Sequence, residues 1–464
     1  MKIYISTQRE NYKNELEEVV RAFAPYCSLE EDGVLVSADI FPSESEVRTM
    51  ISSELSEVSN VHSLPLDLTE LMRKRLYKRY LKRDLYDYLA KVTGKDLPYG
   101  SLTGIRPTKL FYELLDEGVD AETSLRDFFR VSPYKARLIA DIVRNQEGII
   151  GAESEKADWF VNIPFCPSRC HYCSFLSEVI NPKKNVLPAY VDALVRGILS
   201  APPARPRRAI YVGGGTPTSL SPDLLDRVLS TIDAKGEEFT VEAGRPETLT
   251  EEKVAVMKAR RVTRVSVNPQ TFKQETLDRI GRRHTVEDIF RAYDLVRKGG
   301  DFDVNMDFIT MLPGESFEDF KRSIDTAISL SPENITVHSL SIKRGSVFAE
   351  TAYDNFSDGL AERMSEYARD ALDRAGYGPY YMYRQKNTSG RQENIGYAKK
   401  GKACLYNVDI MEETHDIYAS GAGAISKRLF PNGLIERLAE VKEIKGYLER
   451  QEEMRRKKMD FFGN

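Results

Sequence analysis

Three of the five cysteines in this 464-residue chain fall close together, in the segment FVNIPFCPSRCHYCSF. Cys166, Cys170 and Cys173 follow the spacing C-x3-C-x2-C. Thiolates bind iron–sulfur clusters, zinc and other soft metals. A structural zinc site needs a fourth ligand, which His171 could supply. Three thiolates on a tight loop suit three corners of a cubane, so the spacing favours a [4Fe–4S] cluster with one iron free of protein ligands.

A glycine-rich stretch follows the apolar run AIYV, where the chain reads GGGTP. A tight strand-to-helix turn needs fewer glycines than the three at 213–215, so the stretch indicates a loop that lets a ligand approach the backbone closely. No lysine follows in the Walker spacing, which argues against a loop for nucleotide phosphates. Thr216 comes directly after these glycines.

Polar residues also end or follow other apolar runs. Glu242 ends FTVE, and Asp307 lies in FDVNMDF. A buried carboxylate is costly without a partner, so each acid must meet a hydrogen-bond donor or a cation. Gln270 and Arg282 follow the run RVSV. For each of these residues the alternative is a strand-end polar group, or an ion pair, that serves structure alone.

These residues are spaced along a regular alternation of elements. The β-rich runs are WFVNIP, AIYVGGG, FTVEAG, RVSVNPQ, FDVNMDF and NITVHSL, and helical segments such as LPAYVDALVRGILS lie between them. Strands that alternate with helices predict a parallel sheet, and six such units predict a partial (β/α)6 barrel of the TIM type. Barrels of this type hold their chemistry at the carboxyl ends of the strands, where the residues above fall.

The sequence predicts an α/β protein in four parts. Residues 1–60 form a small α/β piece, 61–150 a helical region, 155–357 the barrel and 358–464 a C-terminal capping domain. The first part combines a strand (KIYIS), a helix over Asn14–Phe23 and a hairpin around Asp32–Gly33. The helical region stops once at Gly94 and begins again at Pro107.

Composition and charge exclude several classes of protein. The chain has 67 Lys and Arg residues and 71 Asp and Glu residues, which give a net charge of −4. This balance argues against a protein whose main role is to bind nucleic acid. The start lacks the apolar stretch of a secretory signal, and no run could span a bilayer, so we expect a cytoplasmic protein without a membrane partner. Cys27 and Cys404 are expected to be small core residues.

One helix in the helical region carries many basic side chains. They are Arg73, Lys74, Arg75, Lys78, Arg79, Lys82 and Arg83. The simplest interpretation is a solvated helix face. The alternatives are a docking surface for an acidic electron donor, or a contact with RNA, which the interleaved acids make less attractive.

The motifs together resemble a known family. The cysteine segment, GGGTPT, VEAGRPET, NPQTF, IGRRH and MDFITMLPG are similar to the oxygen-independent coproporphyrinogen III dehydrogenases, which are radical S-adenosylmethionine (SAM) enzymes. The resemblance covers residues 158–345. YGSLTGIRPTKL and YYMYRQKN with ENIGYAKKG resemble the HemZ branch of that family.

The resemblance implies the cofactors and their contacts. In such enzymes the amino and carboxylate groups of SAM chelate the open iron of the [4Fe–4S] cluster. Eight positions match family contacts to SAM. They are Tyr172 against the adenine, Gly214, Gly215 and Thr216 at the methionine end, Glu242 at a polar group, Gln270 and Arg282 at the ribose and carboxylate, and Asp307 at a ribose hydroxyl.

The resemblance also implies an activity, the oxidative decarboxylation of coproporphyrinogen III propionates to vinyl groups, which gives protoporphyrinogen IX in haem biosynthesis. Reduced flavodoxin or ferredoxin would supply electrons. Such a substrate needs an apolar pocket rimmed by cations. The candidate cations are Arg106, Lys343, Arg344, Arg384 and Lys386, and for each of them the simpler interpretation is a solvated surface residue. The candidate aromatic contacts are Tyr380, Tyr381 and Tyr383, for which packing at a domain interface is the alternative.

The chain departs from the well-known dehydrogenases at three positions. Phe175 replaces a cysteine, Phe160 a tyrosine and Asn162 a histidine. Phe175 is shared with a haem-chaperone branch, but that branch carries His-Asn where this chain has Glu393–Asn394. Two alternatives therefore stay open. One is a haem-binding or trafficking protein, with His338 or His415 as haem ligand, and the other is a radical SAM enzyme on another substrate, such as a tRNA base or haem itself.

Overall fold

The computed structural model describes residues 1–24, 26–174, 178–181, 186–199, 205–232, 234–343, 345–350, 359–385, 392–431 and 433–463. The chain groups into two compact units, Met1–Val143 and Arg144–Asn464. The four-part division expected from the sequence stays a prediction at its internal boundaries. None of the described helices is long and apolar enough to cross a membrane.

The first unit contains a five-stranded sheet in the order β2-β1-β3-β4-β5. Its strands and its two long helices are β1 (Lys2–Ser6), α1 (Lys13–Ala22), β2 (Ser28–Leu29), β3 (Val34–Pro42), β4 (Glu46–Ser52), β5 (Glu57–Ser63) and α2 (Glu70–Thr93). Thr69 caps α2 by accepting a hydrogen bond from the Met72 amide. Gly94, with a φ of 65°, ends this helix where the sequence predicted.

The predicted hairpin at Asp32–Gly33 is wrong. Strands β2 and β3 do not pair with each other, because each pairs in parallel with an opposite edge of β1. The chain crosses the end of β1 so closely that a Cβ on Gly33 would lie 2.6 Å from the Lys2 carbonyl carbon. The glycine therefore permits a crossing rather than a hairpin turn.

The remaining helices before the barrel follow the predicted pattern. They are α3 (Pro107–Asp116), α4 (Ala121–Thr123), a short π-helix (Ser124–Phe128) and α5 (Pro133–Asn145). The basic face of α2 is largely paired with acids of the first unit. These pairs are Lys74 with Glu70, Lys78 with Glu15, and Arg75 and Arg79 with Glu113 and Glu117. This pairing favours an ordinary helix face over a docking surface.

The second unit contains the predicted barrel. Six strands run parallel and neighbour one another in chain order. They are β6 (Ala157–Ile163), β9 (Arg207–Gly214), β10 (Glu238–Glu242), β11 (Arg264–Ser266), β12 (Asp303–Thr310) and β13 (Asn334–Ser339). A small pair, β7 (Phe165–Cys166) and β8 (Glu178–Val179), follows the first of them. The six β-rich runs of the sequence are thus the six barrel strands, which confirms the partial (β/α)6 barrel.

Helices alternate with these strands. They are α6 (Leu187–Leu199), α7 (Pro222–Ile232), α8 (Glu251–Ala259), α9 (Gln274–Arg279), α10 (Val286–Gly299), α11 (Phe317–Leu330) and α12 (Val347–Glu350). Capping boxes begin α10 at Thr285 and α11 at Ser316, where each side chain is matched by an aspartate three residues later. Both helices therefore start at fixed points after the strand-end loops.

The C-terminal region extends the barrel sheet at both edges. Its elements are α13 (Leu360–Arg374), β14 (Tyr377–Arg384), β15 (Glu393–Lys399), α14 (Leu405–Glu412), β16 (Asp416–Ser420), β17 (Ile425–Leu429), β18 (Ile435–Ala439), α15 (Ile444–Glu449) and α16 (Gln451–Phe462). Strand β15 pairs antiparallel with β13, and β16 pairs in parallel with β6. The sheet thereby reaches eleven strands.

Candidate functional site

A cavity of about 230 Å³ lies at the carboxyl ends of the barrel strands. All eleven residues that the sequence predicted for the cluster and for SAM line this first cavity. They are Cys166, Cys170, Cys173, Tyr172, Gly214, Gly215, Thr216, Glu242, Gln270, Arg282 and Asp307. The fold thus brings together residues from the carboxyl-terminal parts of five barrel strands and from the loops that follow them.

The cysteine loop is held by the segment that follows α9. The His171 amide donates a hydrogen bond to the Ile280 carbonyl oxygen (2.9 Å), and the Ser168 hydroxyl donates to that of Gly281 (3.3 Å). Gly281 has a φ of 76°, and a Cβ there would lie 2.9 Å from both the Arg169 carbonyl oxygen and the His171 ring. The close approach of the two segments therefore requires glycine.

Hydrogen-bond donors face two of the cysteine sulfurs. The Thr216 hydroxyl lies 3.5 Å from Cys166 Sγ, and Arg245 Nη1 lies 3.4 Å from Cys170 Sγ. Arg245 is buried and is fixed by an ion pair with Glu247 (2.7 Å). Burial opposes ionisation of Glu247, but hydrogen bonding from His284 and the charge of Arg245 lower its pKa to about 2. A cation and a hydroxyl therefore lie beside two of the three cysteine sulfurs.

The spread of the three sulfurs bears on which metal group they can hold. Among the described residues, one group of three metal-binding side chains has all its ligand atoms within 4.8 Å of one another. This group consists of Asp158, Asp409 and His415. At least one pair of the three cysteine sulfurs therefore lies more than 4.8 Å apart. Tetrahedral zinc with bonds of about 2.3 Å holds its sulfurs roughly 3.8 Å apart. A spread beyond 4.8 Å is therefore wider than a single zinc ion allows.

Arg282 is committed to protein groups. Its Nη1 donates to the carbonyl oxygens of Gly244 (3.1 Å) and Asn268 (2.6 Å), and its Nη2 donates to the Tyr172 hydroxyl (3.1 Å). Both terminal nitrogens are therefore engaged by protein groups, while Nε has no partner among the described residues. Arg282 thus holds Tyr172 and the main chain at the cavity wall.

Glu242 has a partner on each carboxylate oxygen. The Tyr211 hydroxyl donates to Oε1 (2.5 Å), and the Gly214 amide donates to Oε2 (3.1 Å). Burial raises the pKa of Glu242 to about 7, against the opposing effect of the hydrogen bond from Tyr211. The carboxyl group therefore changes its protonation state near neutral pH.

Asp307 is an anion in a small polar network. Burial opposes its ionisation, but hydrogen bonds from His338, Asn305 and Thr336 outweigh burial and lower its pKa. His338 Nε2 lies 3.8 Å from Asp307, and its Nδ1 lies 3.3 Å from the Asn394 side-chain oxygen. This network leaves Asp307 as an acceptor at the cavity wall.

Unpartnered polar atoms in the first cavity provide a test of whether a polar cofactor fits. Among the described residues, the buried atoms without a hydrogen-bond partner include Asn268 Oδ1, Gln270 Oε1 and Arg282 Nε, and all three residues line the cavity. Gln270 also has a φ of 71°, which is uncommon for a residue other than glycine. Buried polar atoms normally have partners, so the cavity is suited to a ligand with donors and acceptors of its own, as SAM has.

A second cavity, of about 640 Å³, adjoins the first. Gly214, Glu242 and Tyr383 line both cavities. The second cavity is largely aromatic and aliphatic, and two cations, Lys427 and Arg437, also line it. Sequence reasoning missed these cations because they lie on β17 and β18, which join the sheet at an edge that no local pattern predicts.

The predicted substrate-binding residues meet different outcomes. Tyr381 and Tyr383 line the second cavity, as do Phe160 and Asn162, whereas Tyr380 packs in a buried cluster with Cys404. Lys343 lines the first cavity, where burial lowers its pKa. Arg384 lies on β14, and Arg106 belongs to the first unit. Phe175, Arg344 and Lys386 lie outside the described residues.

The two histidines predicted as possible haem ligands differ in their surroundings. His338 lines the first cavity. His415 is buried, with Nδ1 3.1 Å from Asp409 and Nε2 3.2 Å from the carbonyl oxygens of Ala152 and Glu153. Both nitrogens of His415 thus face protein acceptors, so this histidine is not placed to bind haem.

Other functional side chains were missed by the sequence reasoning. Arg245 and Asn268 both line the first cavity. Arg245 lies three residues after Glu242 in VEAGRPET, so its position beyond a strand end was a usable signal. Asn268 likewise follows the short strand β11, in NPQTF.

Comparison with known proteins relates the chain to radical SAM proteins. Residues 162–327 match the model of the Radical SAM superfamily. The chain is 37% identical over 411 residues to the oxygen-independent coproporphyrinogen-III oxidase-like protein HemZ of Bacillus subtilis, which covers 83% of this chain and 81% of that protein. It is 34% identical to the haem chaperone HemW of the same organism, over 41% of this chain and 52% of HemW.

A solved structure shares the fold. It is that of the coproporphyrinogen III oxidase HemN of Escherichia coli, with a TM-score of 0.53 and 20% sequence identity, over 69% of this chain and 73% of HemN. The haem chaperone HemW of the same organism is 28% identical over 62% of this chain and 75% of its own length. The chain has the cysteine motif and the barrel of radical SAM proteins, whose cofactors are a [4Fe–4S] cluster and SAM. The extent of its similarity to HemZ shows that it belongs to the HemZ-type, oxygen-independent coproporphyrinogen-III oxidase-like family of these proteins.

Proposed function

We propose that this protein oxidatively decarboxylates propionate side chains of coproporphyrinogen III to vinyl groups, which yields protoporphyrinogen IX for haem biosynthesis. The observation that carries the proposal is the second cavity. It adjoins the predicted SAM site through Gly214 and Glu242, and it combines aromatic walls with two cations. An apolar macrocycle bearing carboxylates has the complementary chemistry.

Flat side chains form one wall of the second cavity. The Tyr211 and Tyr406 rings stack with centroids 4.7 Å apart and an interplanar angle of 24°. The Phe160 ring neighbours both of them, with its centroid 6.1 Å from that of Tyr406 and 6.3 Å from that of Tyr211. Stacked aromatic faces offer a broad apolar surface on which pyrrole rings can lie. Phe160, which departs from the tyrosine of the well-known dehydrogenases, therefore keeps an aromatic surface at this position.

The two cations suit propionates that do not react. Arg437 lies 3.2 Å from Glu413, so its charge is already oriented by a carboxylate. A guanidinium can pair with a second carboxylate through its remaining donors, and the Lys427 ammonium can act as a point charge. Anchoring two propionates fixes the macrocycle, and a third can then lie toward the first cavity.

The two cavities would have separate roles in the reaction. When bound, the cluster and SAM supply a radical that can remove a hydrogen atom from a carbon atom of the substrate. The chain's share is to hold the cluster with Cys166, Cys170 and Cys173, to hold SAM in the first cavity and to orient one propionate. Each propionic acid side chain that reacts loses CO2 and two hydrogen equivalents. The radical takes one of them as a hydrogen atom. The other leaves as a proton and an electron, and this electron passes to an external acceptor. Reduced flavodoxin or ferredoxin is the proposed electron donor.

Turnover of the tetrapyrrole is the direct test. Protein reconstituted anaerobically with iron and sulfide is incubated with coproporphyrinogen III, SAM, reduced flavodoxin and a one-electron acceptor, and the tetrapyrroles are analysed by mass. We expect a singly and then a doubly decarboxylated product, together with 5′-deoxyadenosine. Cys166→Ala should abolish both, because the cluster would lose a ligand. Competent SAM cleavage without any decarboxylated tetrapyrrole would contradict the proposal.

The two cations provide a finer test of the second cavity. Lys427→Gln and Arg437→Gln should raise the KM for coproporphyrinogen about tenfold or more, while the rate at saturating substrate changes less, since remote carboxylate contacts mainly supply binding. Lys445→Gln, at a largely exposed lysine on α15, is the matched control and should leave KM unchanged. An equal KM in all four proteins would remove the second cavity from the substrate site.

Haem binding is the second candidate function. The similarity to HemW of B. subtilis and E. coli favours it, since those proteins are haem chaperones. His338 is a cavity-lining histidine in the second unit that could reach haem, although its two nitrogens face Asp307 and Asn394. Tight haem binding that His338→Ala abolishes, with no decarboxylation, would establish this candidate in place of the first.

A further inference from the structure

Residues of the loop that carries the cysteines line two separate cavities. Cys166, Cys170 and Cys173 line the first cavity. Ser168 and other residues between the cysteines line an outer groove of about 650 Å³ on the second unit. The groove is formed by Ser168, Arg169, His171, Val179, Asp278, Gly281, Arg282 and Arg283. The cysteine loop is therefore a thin wall between the groove and the predicted cluster.

Arg282 shows how thin this wall is. It lines both the first cavity and the outer groove. Its guanidinium reaches Tyr172 on the cavity side, while the next residue, Arg283, is exposed on the groove side. The contacts of Ser168 and His171 with the backbone of 280–281 hold the two segments together. A reductant seated in the groove would lie one loop away from the thiolates.

The outer groove is basic. Three arginines line it against a single carboxylate, that of Asp278, which already accepts a hydrogen bond from the Gln274 amide (2.9 Å). Arg169 is exposed, and its guanidinium donates to the Gly345 carbonyl oxygen. No hydrogen bond or ion pair joins the Arg283 side chain to any part of the chain that the structure describes. Arg169 and Arg283 thus present positive charge that no carboxylate among the described residues pairs with.

We propose that the outer groove is the docking surface for a small acidic protein that carries single electrons, and that Arg169 and Arg283 contact its carboxylates. This inference rests on the proposed cluster site. The step transfers one electron, so the carrier is oxidised by one unit, the cluster is reduced by one unit and no covalent bond changes. Complementary charge around a redox site raises the rate of productive encounter. The basic helix α2, the other surface considered from the sequence, is less suited because its charges are paired.

Binding of a flavodoxin to the reconstituted holoprotein tests the surface directly. We expect Arg283→Glu, and independently Arg169→Glu, to raise the Kd measured by anaerobic titration at low salt by about tenfold or more. The difference between variant and wild type should shrink as salt is added. Lys298→Glu is the matched control, because it makes the same change of charge at an exposed lysine that precedes β12, at the opposite end of the barrel strands. Lys298→Glu should bind like wild type.

SAM cleavage in the absence of tetrapyrrole supplies the functional readout. With reduced flavodoxin, 5′-deoxyadenosine should form about tenfold more slowly in the two groove variants than in wild type or Lys298→Glu. With dithionite, which needs no docking surface, all four proteins should react alike and hold equal iron. Equal Kd values across the proteins, or an equal loss with dithionite, would overturn the inference. Because no tetrapyrrole is present, the result is independent of which substrate the protein uses.

Discussion

At the scale of single residues, Glu242 occupies the most informative position in the site. It lines both cavities, and its two oxygens accept hydrogen bonds from Tyr211 and Gly214. Burial raises its pKa to about 7, so the proton is bound below that pH and lost above it. A polar N–H or O–H group of SAM would donate a stronger hydrogen bond to the carboxylate than to the neutral acid. Protonation of Glu242 therefore competes with the predicted SAM contact.

Affinity for SAM should consequently depend on pH. In reconstituted protein without substrate, we expect the Kd for SAM to fall as pH rises from 6 to 8, by up to about tenfold per pH unit below the pKa. Glu242→Gln should bind more weakly and with a flatter profile. Glu315→Gln is the control, since Glu315 is also buried with a pKa raised to about 7, yet does not line either cavity. A wild-type profile as flat as that of Glu242→Gln would contradict this role.

The sequence predicted the residues at strand ends better than their contacts. All eleven predicted cofactor residues line one cavity, because parallel strands of a barrel end on the same side. The contacts of Arg282 with Gly244 and Asn268 could not be predicted, since they depend on how two loops cross. Lys427 and Arg437 were missed for a similar reason, because their strands reach the site through pairing distant in sequence.

At the scale of elements, the cysteine loop depends on a glycine outside it. Gly281 follows α9 with a φ of 76°, and its Cα lies so close to the loop that a Cβ would crowd Arg169 and His171 at 2.9 Å. Gly401 has nearly the same φ, 74°, but a Cβ there would meet nothing within 4 Å. Substitutions at the two glycines therefore distinguish the cost of backbone strain from the cost of a steric clash between a Cβ and the cysteine loop.

Alanine at these two glycines should have different effects. Gly401→Ala should lower the free energy of unfolding by about 1–2 kcal/mol, the cost of a left-handed backbone, and leave the iron content unchanged. Gly281→Ala should lose more stability and hold less iron after reconstitution, because the cysteine loop must move away. Thermal unfolding and iron analysis of both variants provide the measurement. Equal stability and equal iron in the two variants would show that the loop does not depend on this close contact.

Local pattern also explains which elements could be predicted. The six barrel strands are short apolar runs separated by helices, and each was recognised from its own residues. The prediction of a hairpin at Asp32–Gly33 was wrong because β1 lies between β2 and β3. The residues of the turn do not indicate that both strands pair with β1. For the same reason the sequence did not predict the pairing of β16 with β6, since the paired residues lie about 260 positions apart.

At the scale of the whole molecule, the first unit has the features of an independent domain. Its sheet and its two long helices enclose a contiguous core of buried side chains, which includes Ile3, Val36, Ile51 and Leu85. Its size of 143 residues is typical of a domain that folds alone. Residues 1–145 also include the whole of α5, so a fragment with this end would not interrupt a helix.

We therefore expect the fragment 1–145 to fold without the barrel and to unfold cooperatively in urea. Leu85→Ala in this fragment should lower its free energy of unfolding by about 2–5 kcal/mol, because Leu85 is fully buried on α2 and its truncation leaves a cavity. Leu71→Ala is the control on the same helix, where the side chain is 69% exposed, and should change stability little. Circular dichroism of the three fragments gives the comparison. A fragment that loses its signal gradually, with no transition and no response to Leu85→Ala, would mean that the first unit needs the rest of the chain to fold.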